Sequence, residues 1–357
     1  MYRWLRAPLF LIPAEPAHRL GMKVLKLLGR SSRLSRRKRA RATRTSIDLS
    51  IRAAGLDLAN PVGLAAGLDK DAEAVMGLFA LGFGAVEVGT VTSRAQPGNP
   101  KPRLFRIRKE RALLNRMGFN NVGAAEVAAR LARLAWRPGS VGVNIGKGRD
   151  TPIEQAVEDY VHCAEVLAPV ADYVVVNASS PNTPGLRQLQ EPERLATLLA
   201  AVRWAVDGVG ASKPLLVKIG PDLAPNALDE IVEVAIAAGA QGVIATNTTT
   251  QRPFSHRLSS EQGGLSGAPL RKMATEAVRR VYSRSRGRLS VVGVGGIFSG
   301  ADAYEKIRAG SSWVQIYTGL VYQGPSVVSD ILRELEVLLR RDGFTSVREA
   351  VGTEQKN

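Results

Sequence analysis

The stretch VVVNASSPNTPGLR, residues 174–187, runs from three valines directly into two asparagines, two serines, a threonine and two prolines. A short β-branched run of this kind reads as a strand buried on both faces, and its abrupt polar end reads as a loop emerging from a sheet. The same form recurs along the chain: VGLAAGL from Val62, AVEVGTV from Ala85, VGVNIG from Val141, YVVVNAS from Tyr173, LLVKIG from Leu215, GVIATNT from Gly242, SVVGVGG from Ser290 and WVQIYTG from Trp313. Helix-like segments such as DAEAVMGLFALG, NVGAAEVAARLARL, TPIEQAVEDYVHCAEVLA and APNALDEIVEVAIAAG fill the gaps. Eight βα units in this order predict an α/β fold, a (β/α)8 TIM barrel, which typically takes about 250 residues. An open doubly wound sheet is the rival, but no G-x-G-x-x-G follows the first strand.

The composition agrees. Hydrophobic residues make up 45% of the 357-residue chain and aromatics only 5%, as expected of parallel strands covered by helices. The net charge of +17 is unevenly spread: residues 1–52 hold 14 Lys and Arg against Glu15 and Asp48, a net of +12, so the remainder is nearly balanced. A nucleic-acid partner is not expected, because the basic arm carries no recognised module or interleaved aromatics. Cys163 lies in helical AVEDYVHCAEVL and reads as a packed small side chain.

No run of roughly 18 apolar residues is present to span a bilayer. In PAHRLGMKVLKLLGR, residues 16–30, Ala17, Leu20, Val24, Leu27 and Leu28 share one helical face while Arg19, Lys23, Lys26 and Arg30 take another. That pattern suits a helix lying on a membrane surface, and it suits equally a helix docked on its own domain. The expected organisation is N-terminal helices and a basic linker over residues 1–45, a barrel over 46–340 and a C-terminal tail over 341–357. Residues 91–120 and 247–265 make connections longer than a barrel needs, on the side where barrel active sites sit, so they are expected to cover the site.

In a barrel the C-terminal strand ends build the site. They supply Asp69 and Lys70, Thr90, Asn144, Asn177 through Asn182, Lys218, Thr246 with Asn247 and Thr248, Gly295 and Gly296, and Tyr317 with Thr318. GVGGI and YTG offer backbone amides for a phosphate. The amides and hydroxyls suit a flavin's dione edge, and Lys218 would stabilise charge on a reduced ring, its alternative being an ion pair inside the barrel mouth. Asp69 reads as the only carboxylate in this ring. No metal is expected, since His18, His162 and His256 are scattered and none ends a strand.

The chain resembles the membrane-associated, quinone-dependent class of the dihydroorotate dehydrogenase family over nearly its whole length. The resemblance is carried by NPVGLAAGLDKD, VEVGTVTSRAQPGNPKPRLFR, LLNRMGFNN, GVNIGK, NASSPNTPGLR, VKIGPDL, ATNTT, GGLSGAPL, GVGGI and QIYTG. It implies oxidation of dihydroorotate to orotate in pyrimidine biosynthesis, with one FMN per chain taking the hydride and a membrane quinone as final acceptor. An FMN-dependent barrel enzyme acting on another pyrimidine, or using NAD, is the alternative. The resemblance makes Ser180 the base, with Thr183 and Phe119 in a proton relay. Substrate-binding roles fall on Lys70, on Asn115, Arg116, Met117, Gly118 and Phe119, and on Asn177, Asn182, Asn247 and Thr248. Cofactor roles fall on Ala66, Gly67, Leu68, Asp69 and Lys70, on Thr90, Asn144, Asn177, Lys218 and Thr246, and on Gly267, Gly296, Tyr317 and Thr318. His18, Arg106 and Tyr317 correspond to the quinone end. Soluble classes of the family generally carry a cysteine base, so Ser180 and the basic amphipathic N-terminus select the membrane class. The implied setting is a monomer held peripherally on the cytoplasmic side of a cell inner membrane, with anionic lipids attracting the basic linker. Three positions depart from the family pattern: Ser93 stands where a proline is expected, and Gly148 and Arg149 where Asn and Lys are common, which puts the rigidity of their loops in question.

Overall fold

Valine is the commonest residue of the eight runs, and each run contains a strand. The computed structural model describes residues 2–30, 47–134, 136–210 and 212–355. Two helices come first, α1 (Tyr2–Leu9) and α2 (Ala14–Arg30), followed by a small hairpin of β1 (Ile51–Ala53) and β2 (Leu56–Leu58). The later strands are β3 (Val62–Leu64), β4 (Ala85–Val91), β5 (Leu104–Ile107), β6 (Ala112–Asn115), β7 (Ser140–Ile145), β8 (Tyr173–Asn177), β9 (Leu215–Ile219), β10 (Gly242–Ala245), β11 (Gly264–Gly267), β12 (Ser290–Val294) and β13 (Trp313–Ile316). Eight of them close a parallel barrel in the order β3-β4-β7-β8-β9-β10-β12-β13, with helices such as Ala156–Leu167 and Pro225–Ala237 between them. Cys163 is fully buried in the first of these helices.

The two long connections do more than the sequence revealed. Their strands β5, β6 and β11 pair antiparallel into one three-stranded sheet, with Asn115 opposite both Leu104 and Gly264. The residues after Arg341 also fold back on the barrel: Val347 and Ala350 are buried, and Arg348 donates to Asp48 at 2.8 Å.

Helix α2 uses two faces. Met22 and Leu25 pack on the core, and the backbone crosses the helix Val75–Ala80 so closely that a Cβ added at Gly77 would lie 1.9 Å from the Leu25 carbonyl oxygen. Arg103 holds the start of α2 through Glu15 at 3.0 Å. The other face leaves Leu20, Val24 and Leu27 exposed, continuing from Leu11 and Ile12 in the α1–α2 turn. Among the described residues no helix is long and apolar enough to cross a membrane. The basic run GRSSRLSRRKRARATR falls almost entirely, from residue 31 on, outside the described residues.

Inside the barrel Gly142 makes room for Tyr173: a Cβ there would lie 2.1 Å from the phenol ring. Overpacking a core costs about 1–3 kcal/mol. Gly142→Ala should lower stability by that amount in denaturant unfolding, and an unchanged midpoint would show that the ring has free space to move into.

Candidate functional site

The strand ends ring a cavity of about 1010 Å3, counting its open mouth, which β5, β6 and β11 flank. Most of the residues singled out from sequence line it. The floor and walls carry Ala66, Gly67, Lys70, Thr90, Asn177, Ser180, Asn182, Lys218, Thr246, Asn247 and Thr248. Asn115, Met117, Gly118 and Phe119 enter from the β6 side, and Gly267, Gly296, Tyr317 and Thr318 close the far end. The others stand back. Leu68 is in the core, and Asp69 turns its carboxylate to the amides of Glu73 and Ala74 at 2.9 and 2.8 Å. Arg116 pairs with Glu261 and lies over the Phe105 ring. Thr183 is buried with its hydroxyl unpartnered.

One group escaped the sequence reading. Glu87, in the middle of β4, is fully buried and 3.6 Å from Lys218, so Asp69 is not the only carboxylate here and the ion pair considered for Lys218 exists. Glu87 lies within its strand and not at the polar end, and every second residue of a barrel strand points inward. A glutamate within an apolar parallel strand was the available signal, because such a residue is almost never buried unless paired.

Glu87 sets the direction of a hydrogen-bond chain. A carboxylate only accepts, so the two amides beside it must present NH2 groups: Asn144 Nδ2 donates at 2.8 Å and Gln315 Nε2 at 2.6 Å. Asn144 is thereby left with its oxygen turned up, where it accepts from Thr90 Oγ1 at 2.5 Å and Asn177 Nδ2 at 3.1 Å. Asn177 Oδ1 then accepts from Asn247 Nδ2 at 3.2 Å, and Asn247 Oδ1 accepts from the Thr248 amide at 2.8 Å. Asn144, behind the cavity wall, thus fixes how Thr90, Asn177 and Asn247 face the cavity.

At the far end Gly267, Gly295 and Gly296 adopt φ of 101°, 124° and 72°, and a Cβ at Gly296 would lie 2.8 Å from the Arg271 amide nitrogen. Only glycine lets the backbone approach this closely, and such turns present amides to an anion. Ser266 and Thr318 add hydroxyls, 2.8 Å apart. A phosphate fits this end, a planar ring with donor and acceptor edges fits the amide wall, and Lys218 lies between charged Glu87 and the cavity. The donor set therefore fits FMN.

Lys70 lines the cavity as a second lysine. Burial and the neighbouring Arg103 charge pull its ammonium down to about 8. Burial and Lys70 hold His18, on α2, at about 4, so the imidazole is neutral near pH 7. Arg106 lies 4.6 Å over the Phe10 ring, whose cluster with Tyr322 and Phe298 also packs Tyr317. Arg106 and Tyr317 thus share the cluster beneath α1, whereas His18 has its charged neighbours in Lys70, Glu15 and Arg19.

The three departures from the family pattern interlock. Ser93 Oγ and the Gly148 amide both donate to Asp159, the latter at 2.8 Å, and the Arg149 amide donates to Gln96 at 2.9 Å. A Cβ at Gly148 would lie 2.9 Å from Thr151 Oγ1, a close contact that a turn of the threonine side chain can relieve.

Removing one partner of a buried pair costs about 3–5 kcal/mol. Glu87→Gln should therefore destabilise the protein by at least about 3 kcal/mol, and adding Lys218→Met should recover much of the loss. An unchanged unfolding midpoint in the single variant, or no recovery in the double, would contradict this account of the pair.

Comparison with known proteins agrees with the geometry. A family model described as Dihydroorotate dehydrogenase matches residues 48–339. A dihydroorotate dehydrogenase (quinone) of Myxococcus xanthus is 58% identical over 357 residues, covering 100% of this chain and 98% of that protein. One from Roseiflexus sp. is 50% identical over 353 residues, covering 99% of this chain and 98% of its own. Among solved structures, ligand-free DHODH from Eimeria tenella superposes with a TM-score of 0.84 at 40% identity, covering 88% of this chain and 94% of that one. Matched by that family model over most of its length and 58% identical to a relative across the whole chain, the chain belongs to the dihydroorotate dehydrogenase family.

Proposed function

We propose that this chain oxidises dihydroorotate to orotate in pyrimidine biosynthesis, passing the electrons by way of one FMN per chain to a membrane quinone. The observation that carries the reading is Ser180, a buried serine on the wall of a cavity lined also by amides, hydroxyls and two lysines, Lys70 and Lys218. The names of the relatives support the same reaction and acceptor.

The reaction removes a proton from C5 and a hydride from C6 and leaves a double bond between them. FMN, when bound, supplies the hydride acceptor. Ser180 takes the proton. Its oxygen accepts from the Asn182 amide at 3.3 Å, which fixes the side chain while its own proton stays free to leave. A hydroxyl has no useful basicity unless that proton passes onward; the unpartnered Thr183 hydroxyl is the start of that path, and the Phe119 ring, which carries no exchangeable proton, lines it. Lys70 neutralises the substrate carboxylate, and Asn115, Asn177, Asn182, Asn247 and Thr248, with Met117 and Gly118, hold the ring edges; Arg116, paired with Glu261, does not reach them. Ala66, Gly67, Thr90, Lys218 and Thr246 would hold the flavin ring, with Asn144 orienting Thr90 and Asn177 from behind, and Gly267, Gly296, Tyr317 and Thr318 would hold its phosphate; Leu68 and Asp69 do not reach the cavity. His18, Arg106 and Tyr317 form the quinone end. The exposed stripe from Leu11 to Leu27 seats the protein, as a monomer, peripherally on an anionic membrane surface, the cytoplasmic side of an inner membrane.

Dihydroorotate should reduce a soluble quinone analogue without any nicotinamide, and Ser180→Ala should lose turnover by about 10²–10⁴-fold while still binding orotate. Near-normal turnover in that variant would reassign the base. The Lys70 ammonium is present below about pH 8 and is lost above it. Orotate affinity should therefore be level below that pH and fall by up to roughly tenfold per unit above it. Lys70→Met should bind weakly at every pH, and a wild-type affinity that stays level through pH 9 would remove Lys70 from the carboxylate.

A further inference from the structure

Four arginines converge on the α1–α2 turn. The guanidiniums of Arg106, Arg108 and Arg6 lie 4.6, 5.6 and 5.9 Å from the centre of the Phe10 ring. Arg111 lies 4.1 Å over Phe298, whose ring meets the same Tyr322 that Phe10 meets edge-on. Arg6, Arg108, Arg111, Phe10 and Tyr322 line one open cavity of about 670 Å3. None of the four arginines forms an ion pair with a carboxylate among the described residues, although Glu110 lies in the same β5–β6 turn. Their fixed partners are carbonyl oxygens: Tyr322 for Arg6 at 2.9 Å, Ile12 for Arg106 at 2.7 Å, and Phe10 for Arg108.

Each guanidinium has five donors, so most remain available, and clustering like charges without a counter-ion is unfavourable. One quinone carbonyl would occupy a single arginine and leave the others unneutralised. The surroundings indicate what the counter-ion belongs to. Leu11, 79% exposed, and Ile12 lie in the turn whose carbonyls Arg106 and Arg108 hold. A ligand for this place therefore carries negative charge at one end and hydrocarbon at the other. Guanidinium forks match phosphate oxygens in pairs, which a lysine cannot do.

We propose that Arg6, Arg106, Arg108 and Arg111 form a binding site for the phosphodiester headgroup of an anionic phospholipid, whose acyl chains lie along Leu11 and Ile12. The site would anchor the turn beside the quinone end at a fixed depth. It rests on the reading of α1 and α2 as the membrane-facing surface.

The test compares binding of the FMN-loaded full chain to vesicles of phosphatidylcholine alone and of phosphatidylcholine with phosphatidylglycerol. Wild type should prefer the phosphatidylglycerol vesicles several-fold. Arg108→Lys with Arg111→Lys conserves the charge and removes the forks, and it should lose most of that preference while keeping turnover with a soluble quinone. Arg108→Gln with Arg111→Gln should lose it as well; if that pair fails to fold, the lysine pair decides. An undiminished preference in the lysine pair would overturn the proposal in favour of a diffuse field, to which the basic run of residues 31–46 also contributes. Wild type that binds inorganic phosphate at matched ionic strength as tightly as it binds the phosphatidylglycerol vesicles would overturn the lipid as the ligand. Equal wild-type binding to both vesicles would sink the headgroup site alone, whereas no binding to either would sink the membrane reading with it.

Discussion

A carboxylate that can only accept hydrogen bonds sits where a barrel is otherwise packed with hydrocarbon, and the site takes its orientation from it. An asparagine can face either way at little cost, so a ring built of amides has many nearly equivalent arrangements. Glu87 removes that freedom. It obliges Asn144 and Gln315 to offer their nitrogens, and the choice passes through Thr90 and Asn177 to Asn247, on strands far apart in sequence. Lys218 balances the charge at 3.6 Å and reaches the cavity wall. The amide wall is therefore set before any ligand arrives, as preorganised recognition requires.

The closed barrel makes this possible because it brings residues of eight strands to one mouth without an exposed edge. The site also needs chemistry the eight strands do not supply. The sheet of β5, β6 and β11 brings Leu104, Leu113, Asn115 and Ser266 to the cavity, and Arg103 ties its approach to α2 through Glu15. Helix α2 and the cavity mouth are thereby joined through a charged contact.

Much of this was legible in the sequence. Parallel strands are covered on both faces, so they read as apolar runs, and their polar endings marked the mouth. Glu87 and Gln315 were not legible by that route because they lie within strands, where the pattern alone does not say which residues face the barrel axis. The three-stranded sheet was hidden because β5 and β6 are four-residue strands joined by a charged turn, and β11, GLSG, is half glycine, which disfavours strands. The apolar stripe of α2 was found, yet the helix docks by a different face, through Met22, Leu25 and the close approach at Gly77. Periodicity locates apolar residues and is silent about glycines that let two helices touch.

We propose that the mouth ordered by Glu87 grips FMN beside Ser180, where dihydroorotate can reach both. The absorption spectrum of the purified full chain, recorded without oxygen before and after adding dihydroorotate, addresses this directly. Oxidised-flavin bands that bleach on addition and return with a quinone are the predicted result. A colourless protein that takes up no FMN, or flavin bands that dihydroorotate leaves unchanged, would contradict it.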